Sequence, residues 1–235
     1  MNIENKVILV TGGSSGIGLS TAVMLKEKGA NVIITGRNKS KLDEAIEKYG
    51  FTGFVSDVSK ENEVIELFEK IKNKFGTLDV LVNNAGFGYF ETLENVNFEK
   101  FNNVLQTNVI GAALAAREAA KIFKTKNGGD IINIASTAAT KGFAGGTSYV
   151  ASKFALRGMT ECWRAELRPF NIRVILINPS EVQTDFVVNS GRPGRNFNPT
   201  KLLGEDIAHS ILSALEMNDR GFITELTVFA TNPKD

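Results

Sequence analysis

Seven short runs rich in β-branched residues punctuate the chain: KVILV, NVIIT, FTGFV, LDVLV, DIINIA, IRVILI and FITELTV. Most are separated by stretches with helical spacing, such as 60–75 and 101–124. That alternation is the pattern of an α/β protein built on a parallel sheet. The runs are almost continuously apolar rather than alternating, so helices must cover both faces of the sheet. The predicted architecture is a doubly wound fold with a seven-stranded, mostly parallel sheet. Its crossovers should be right-handed and its ligands should bind beyond the C-terminal ends of the strands. At 235 residues, 43% hydrophobic and 23% charged, the chain is expected to form a single domain over 1–235. The segment NSGRPGRNFNPTK, 189–201, reads as a loop between the sixth strand and the last helix, long enough to form a substrate lid near 186–204.

Charge narrows the partners. Twenty-seven Lys and Arg against 26 Asp and Glu leave a net charge of +1, with no basic stripe for nucleic acid and no polybasic membrane anchor. No apolar run approaches bilayer length and MNIENKVILV has neither a charged leader nor a small-residue cleavage site, so the expected location is the cytoplasm. One cysteine, Cys162, excludes an intrachain disulfide, and with one histidine, His209, there is no metal-ligand spacing.

The first strand runs directly into TGGSSGIG, residues 11–18, and then into a helix whose Ile17, Thr21, Met24 and Leu25 are predicted to make one inward face. Strand, glycine-rich turn and helix N-terminus in this order are expected of a dinucleotide site of the Rossmann type, with a purely structural tight turn as the alternative. Gly12 and Gly16 let the backbone turn tightly against a pyrophosphate, Gly18 allows close packing, and the helix start offers unpaired N–H groups. The second strand ends IITGRN. Gly36 stands where an acidic residue would hold the adenosine ribose, and Arg37 beside it offers a fork matched to a 2′-phosphate, so the expected cofactor is NADP(H). Asp57, in SDV after the third strand, has two candidate roles, capping a helix start or bonding the adenine amino group.

In SYVASK, residues 148–153, Tyr149 and Lys153 lie four apart and share a helix face. With these motifs in place the chain resembles the short-chain dehydrogenase/reductase family, and within it the 3-oxoacyl reductases. TGGSSGIG resembles T-G-x-x-x-G-x-G, NNAG at 83–86 resembles the segment after the fourth strand, and YVASK resembles Y-x-x-x-K. Ser136 lies at the family's usual interval before Tyr149, and Asn108 in TNVIG stands where the family carries its fourth catalytic residue. The resemblance spans about residues 4–228 and implies a catalytic set of Asn108, Ser136, Tyr149 and Lys153.

It also implies that Gly12, Ser14, Ser15, Gly16, Ile17, Gly18, Arg37, Asp57 and Val58 bind cofactor. Asn83, Asn84, Ala85 and Gly86 would line the riboses, Asn178, Pro179, Val182 and Thr184 would hold the nicotinamide carboxamide, and Tyr149 and Lys153 would touch the cofactor as well. Two departures stand out. Ser180 replaces the family's usual glycine, so a conformation needing positive φ is expected to be either absent or strained there. The C-terminus FITELTVFATNPKD lacks the family's usual ending, which removes the basis for a tetramer contact made by that tail.

The expected reaction is carbonyl reduction with Tyr149 as general acid or base. Free tyrosine titrates near ~10, and a Lys153 ammonium ~4 Å away would lower that by the ~4 kcal/mol needed to reach neutrality. Ser136 would donate to the same substrate oxygen, and Asn108, through water, would link Lys153 to solvent. Phe87, Tyr89, Phe90, Phe143, Phe186 and Phe197 are candidate apolar walls, and Glu181, Arg192 and Arg195 candidate polar ones. The leading substrate is a 3-oxoacyl thioester or other hydrophobic ketone, followed by a sugar, polyol or hydroxy acid. A non-catalytic NADP(H)-binding sensor on the same fold is the rival reading. Helices over 101–124 and 149–168 resemble the pair through which family members associate, with Phe123 and Trp163 as candidate anchors; the resemblance implies a homodimer or homotetramer, and plain packing within the chain is the alternative.

Overall fold

A computed structural model describes residues 1–194 and 196–234. The seven strands are β1 (Val7–Thr11), β2 (Asn31–Gly36), β3 (Thr52–Val55), β4 (Val80–Asn83), β5 (Gly129–Ile134), β6 (Ile172–Pro179) and β7 (Glu225–Val228). They form one sheet in the order β3-β2-β1-β4-β5-β6-β7, and every pairing is parallel. The order reverses between β1 and β4, which opens a crevice beyond their C-terminal ends.

Strand pleating divides the core. Ile8 and Val10 of β1 face one side of the sheet, where they join Leu25 of helix α1 (Gly16–Glu27) and Ile207, Ile211 and Leu215 of helix α8 (Gly204–Glu216). Val7 and Leu9 face the other, with Leu67 and Ile71 of α3 (Glu61–Phe75) and Phe123 of α5 (Ala112–Lys126). A strand with apolar residues at every position thus feeds two cores. On α1, Thr21 and Leu25 are buried as predicted, but Gly18 and Ala22 complete the face and Ile17 and Met24 are only partly covered. Helix α2 (Lys39–Tyr49) also flanks the sheet; it begins at Asn38, whose side chain accepts from Lys41 N at 3.0 Å, and ends on the left-handed Gly50.

The predicted helix over 101–124 is interrupted. Helix α4 (Phe98–Leu105) passes into a π-helical segment, Gln106–Gly111, before α5 begins. Asn108 lies in that segment, the wider-wound backbone that recurs at functional positions. The next helix, α6 (Thr147–Leu167), carries Tyr149 and Lys153 near its start. Between β6 and α8 the chain makes a single turn of helix, α7 (Phe186–Asn189), and an irregular segment. Gln183 ties that segment down by donating to the Asn198 carbonyl at 2.7 Å and accepting from Asn198 N at 2.6 Å. Asn198 Nδ2 in turn donates to the carbonyl of Lys234, so the C-terminal tail is stitched to the loop.

One expectation fails here. Phe123 has no exposed surface and packs inside against Gly129, so it cannot anchor an interface. At Ser180 the positive φ is absent rather than strained, as one of the two expected outcomes had it, and its N–H donates to Val228 O at 2.9 Å.

At the opposite end of the sheet, Arg173 grips Asp130 through two hydrogen bonds, 2.5 and 2.7 Å long, and also donates to the carbonyls of Leu215 and Met217 at the end of α8. Asp130→Ala should therefore lower the unfolding free energy by roughly 3–5 kcal/mol in urea titration, because it leaves a buried guanidinium without its carboxylate. A loss under about 1 kcal/mol would show that water replaces the carboxylate there.

Candidate active site

The crevice is a cleft of about 1390 Å³, larger than the ~300–1,000 Å³ that suits one drug-sized ligand, so a dinucleotide and a second molecule fit together. Among the predicted residues Ser14, Ser15, Ile17, Arg37, Asp57, Val58, Asn84, Ala85, Gly86, Ser136, Tyr149, Lys153, Pro179, Val182 and Thr184 line it, with Gly12 and Gly16. Gly18 and Asn108 do not.

At one end of the cleft Gly12 and Gly16 adopt φ of +63° and +53°, which L side chains avoid. A Cβ on Gly12 would also sit 3.0 Å from Ala85 Cα. Gly18 is packed, as a Cβ there would lie 2.4 Å from both Asn84 Nδ2 and the Gly12 carbonyl. Ser15, the N-cap of α1, makes no side-chain hydrogen bond to the helix, so the first N–H groups face the cleft uncapped. This cradle suits a pyrophosphate. Arg37 lies at the tip of β2 with its guanidinium 6.0 Å from the Phe87 ring centroid, and Lys41 lines the same rim. Asp57 accepts from Ser59 N at 3.0 Å and Ser59 Oγ at 2.7 Å, so it closes a turn ahead of α3 rather than capping the helix start.

Pleating separates the two asparagines of NNAG. Asn84 Nδ2 donates to the carbonyls of Thr11 and Gly12, whereas Asn83 turns into the protein toward Asn133 and the Ala112 carbonyl. Asn83 therefore lines no ribose. Asn178 is likewise buried: it donates to Glu225 at 2.7 Å, and its Oδ1 is without a partner among the described residues.

At the other end Tyr149, Ser136 and Lys153 converge. Ser136 follows β5, its hydroxyl accepts from Ala138 N, and it faces the Tyr149 phenol closely enough to favour the phenolate. Lys153 is buried and donates to the Ile134 carbonyl at 2.9 Å. Its Nζ lies 5.6 Å from the Tyr149 ring centroid. Asn108 is fully engaged: it accepts from Phe87 N at 3.0 Å and donates to Phe87 O at 2.9 Å and Ser152 Oγ at 3.1 Å. It clamps the loop after β4 to α6.

A family model described as short chain dehydrogenase matches residues 6–193. The chain belongs to that family. A 3alpha-hydroxysteroid dehydrogenase of Mediterraneibacter gnavus is 34% identical over 194 residues, 80% of this chain and 78% of the relative. Two solved structures superpose closely. One is a 3-ketoacyl-(acyl-carrier-protein) reductase from Brucella melitensis complexed with NADH, with TM-score 0.89 and 29% identity over 97% of this chain and 98% of the other. The second is a serine dehydrogenase complexed with NADP+, with TM-score 0.88 and 27% identity over 94% of each chain. A steroid, an acyl thioester and an amino acid differ so widely that membership leaves the substrate of this short-chain dehydrogenase open. The class is fixed: an oxidoreductase acting on a CH–OH/C=O pair.

The electrostatics of this short-chain dehydrogenase correct one expectation. Burial pushes the Tyr149 phenol above its ordinary value, and the hydrogen bond with Ser136 and the charge of Arg192 pull against it without prevailing. Lys153, bonded to a carbonyl instead of the phenol, does not bring Tyr149 toward neutrality. Arg192 was named from sequence as a substrate-orienting residue; its field at the phenol is new. Of the aromatic candidates, Phe90, Phe143 and Phe186 gather around Tyr149, with Phe90 and Phe186 each 5.4 Å from its ring. Phe87 belongs under Arg37. Tyr89 turns to the 95–97 loop, and Phe197 is exposed, so neither is a wall. Glu181 pairs with Lys201 at 3.1 Å, and Arg195 lies outside the described residues.

Burial alone holds Lys153 down at about 8. Because this lies below the unfolded value, the unfolded chain binds more protons between the two, and stability rises with pH across that window, from about 8 upward. Compared with Lys153→Met, the wild type should gain roughly 1–3 kcal/mol between pH 7 and pH 10 in paired urea titrations. A pH-independent difference would show that Lys153 titrates normally.

Proposed function

We propose that the protein reduces a ketone with NADP(H), Tyr149 giving the proton. The observation that carries this reading is the cleft itself, with uncapped helix N–H groups and Arg37 at one end and Tyr149 with Ser136 at the other. Ser14, Ser15 and the start of α1 would hold the pyrophosphate, Arg37 the 2′-phosphate, and Pro179, Val182 and Thr184 the carboxamide. Bound NADPH would supply the hydride equivalent to the carbonyl carbon. The protein's part is the oxygen. Negative charge gathers there as the carbonyl is reduced, and Ser136 and Tyr149 meet it with two donors. A phenol held above its usual pKa is protonated at neutral pH and can give its proton to the forming alkoxide. Lys153 retains N–H groups beyond the one given to Ile134 and would bind ribose hydroxyls with them.

The aromatic cluster of Phe90, Phe143 and Phe186 favours a substrate with hydrophobic bulk. A 3-oxoacyl thioester is the first candidate, supported by the likeness to the Brucella reductase. Segment 186–204 would act as a lid within a single 1–235 domain. Exposed Ile110 and Phe154, on the π-helical segment and α6, favour association into a homodimer or homotetramer. Among the described residues no helix is long and apolar enough to cross a membrane, in keeping with a cytoplasmic enzyme.

Tyr149→Phe should retain NADPH affinity by fluorescence titration and lose at least about 10²-fold in kcat across a panel of ketones and 3-oxoacyl thioesters. Turnover near wild type would sink the assignment. Arg37→Ala should weaken NADPH binding by about ten-fold or more, consistent with loss of a charge-assisted contact, and change NADH binding far less. Equal losses for both cofactors would remove the case for the 2′-phosphate.

A further inference from the structure

We propose that Arg192 is the residue through which this cleft selects its substrate, and that it does so by binding a carboxylate carried on the ketone. This deepens the reading of the site as a carbonyl reductase and rests on it. Arg192 follows α7 by three residues, and a turn through Gly191, at φ +77°, folds it back so that its N–H donates to the Val187 carbonyl. Its side chain then reaches the cleft. The guanidinium carbon lies 3.9 Å from the centroid of Phe90, a stacking contact, and Nε donates to Ser190 Oγ at 3.2 Å. Phe90 in turn lies 5.4 Å from the ring of Tyr149. The cation is therefore one aromatic ring from the group that gives the proton.

No carboxylate answers it among the described residues. Asp185, the nearest acid in sequence, pairs with Lys41 at 3.4 Å, and Glu181 pairs with Lys201. Among the described residues the two terminal nitrogens of Arg192 hold no protein acceptor, while stacking on Phe90 and the bond to Ser190 fix the plane of the fork. A half-buried guanidinium set in one orientation, edge open to a cleft, is a preformed partner for a planar anion. Stacking leaves those edge donors available, since the ring face takes up only the flat side. The apolar rings around it raise the strength of any charge-assisted bond by excluding water. Its place one ring from Tyr149 puts the bound carboxylate a few bonds from the carbonyl. The fitting substrate is an oxo acid and the product its hydroxy acid. The charge of Arg192 also favours the phenolate of Tyr149, an effect that acts on any ketone and is separable from recognition.

The test is a comparison of matched pairs. Initial rates with NADPH would be measured for 2-, 3- and 4-oxo acids, each beside its methyl ester, using the wild type, Arg192→Met and Arg192→Lys. The acid-to-ester ratio of kcat/KM should fall by about 10- to 100-fold in Arg192→Met, the range of a hydrogen bond to a charged group. The fall should appear in KM, and lysine should restore part of it. Any effect transmitted through Tyr149 touches both members of a pair and cancels in the ratio. Residual ester turnover reports that the variant is folded. A ratio that does not change, or wild type that reduces esters and neutral ketones but no oxo acid, would overturn the proposal. If the wild type turned over no member of the panel, the reductase reading would fail by itself. Calorimetric titration of 3-hydroxybutanoate and its methyl ester into protein with NADP+ would then decide the anion site. Binding of the acid by wild type and not by Arg192→Met supports it, and equal binding of acid and ester refutes it.

Discussion

One hydroxyl holds the two banks of the cleft together. Thr11 Oγ1, at the end of β1, accepts from the N–H groups of Asn84 and Ala85 at 3.0 and 3.1 Å and donates to the Val82 carbonyl. Asn84 returns the tie through Nδ2 to the carbonyls of Thr11 and Gly12. At this point the strand order reverses and the chain departs in opposite directions, so without such a lock the glycine-rich turn and the NNAG loop would part. These two side chains satisfy backbone groups at the ends of β1 and β4, and burial makes leaving such groups unpaired costly. The tie also explains the exclusion of a side chain at Gly18, which packs against the same two partners.

The lock extends to Tyr149 and Lys153 through a second set of polar ties. Asn108 holds Phe87 by both its N–H and its carbonyl and reaches Ser152 on α6. Ser148 of the same helix donates to the Tyr89 carbonyl at 2.9 Å, and Glu91 pairs in a short parallel bridge with Gly146. The loop after β4 is thereby fastened along the first two turns of α6. Tyr149 and Lys153 stand on those turns. Widening of the helix at 106–111 is what brings Asn108 within reach, so an irregularity in one helix sets the position of two residues in another.

Fold and site were legible in the sequence to different depths. The strands announced themselves because a sheet buried on both faces needs an apolar residue at every position, and all seven runs became strands, although FITELTV keeps only its last four residues in β7. The glycines were legible because positive φ and close approach restrict the side chain to a hydrogen atom. Direction along a strand was harder to read. Asn83 and Asn84 are identical in composition, and only the pleat sends one into the core and the other to the turn. The π-helical segment has no compositional mark, since QTNVIG carries no proline and its glycine lies at the end. Phe87, Tyr89 and Phe197 show the same limit, for aromatic type says nothing about which way a loop turns. The state of Tyr149 required a surveyed environment, because burial and a neighbouring cation act in opposite directions and sequence gives neither distance.

That last balance bears on how the chemistry divides between the two directions. A free tyrosine already stays protonated through neutral pH, and burial deepens the preference. Such a group is well matched to an alkoxide, which is a far stronger base than phenolate, so giving up the proton during reduction needs no lowering of its pKa. Taking a proton from an alcohol is another matter, because the phenolate must first exist in an apolar pocket. Lys153 cannot supply all the required stabilisation while it donates to Ile134 and is itself held at about 8 by burial. The remaining cation facing the phenol is carried on the segment after α7 and reaches it across Phe90. On the proposed assignment of Tyr149, oxidation would depend on the position of that segment far more than reduction would, and the arginine proposed to receive a carboxylate would also set how readily the proton could be taken back.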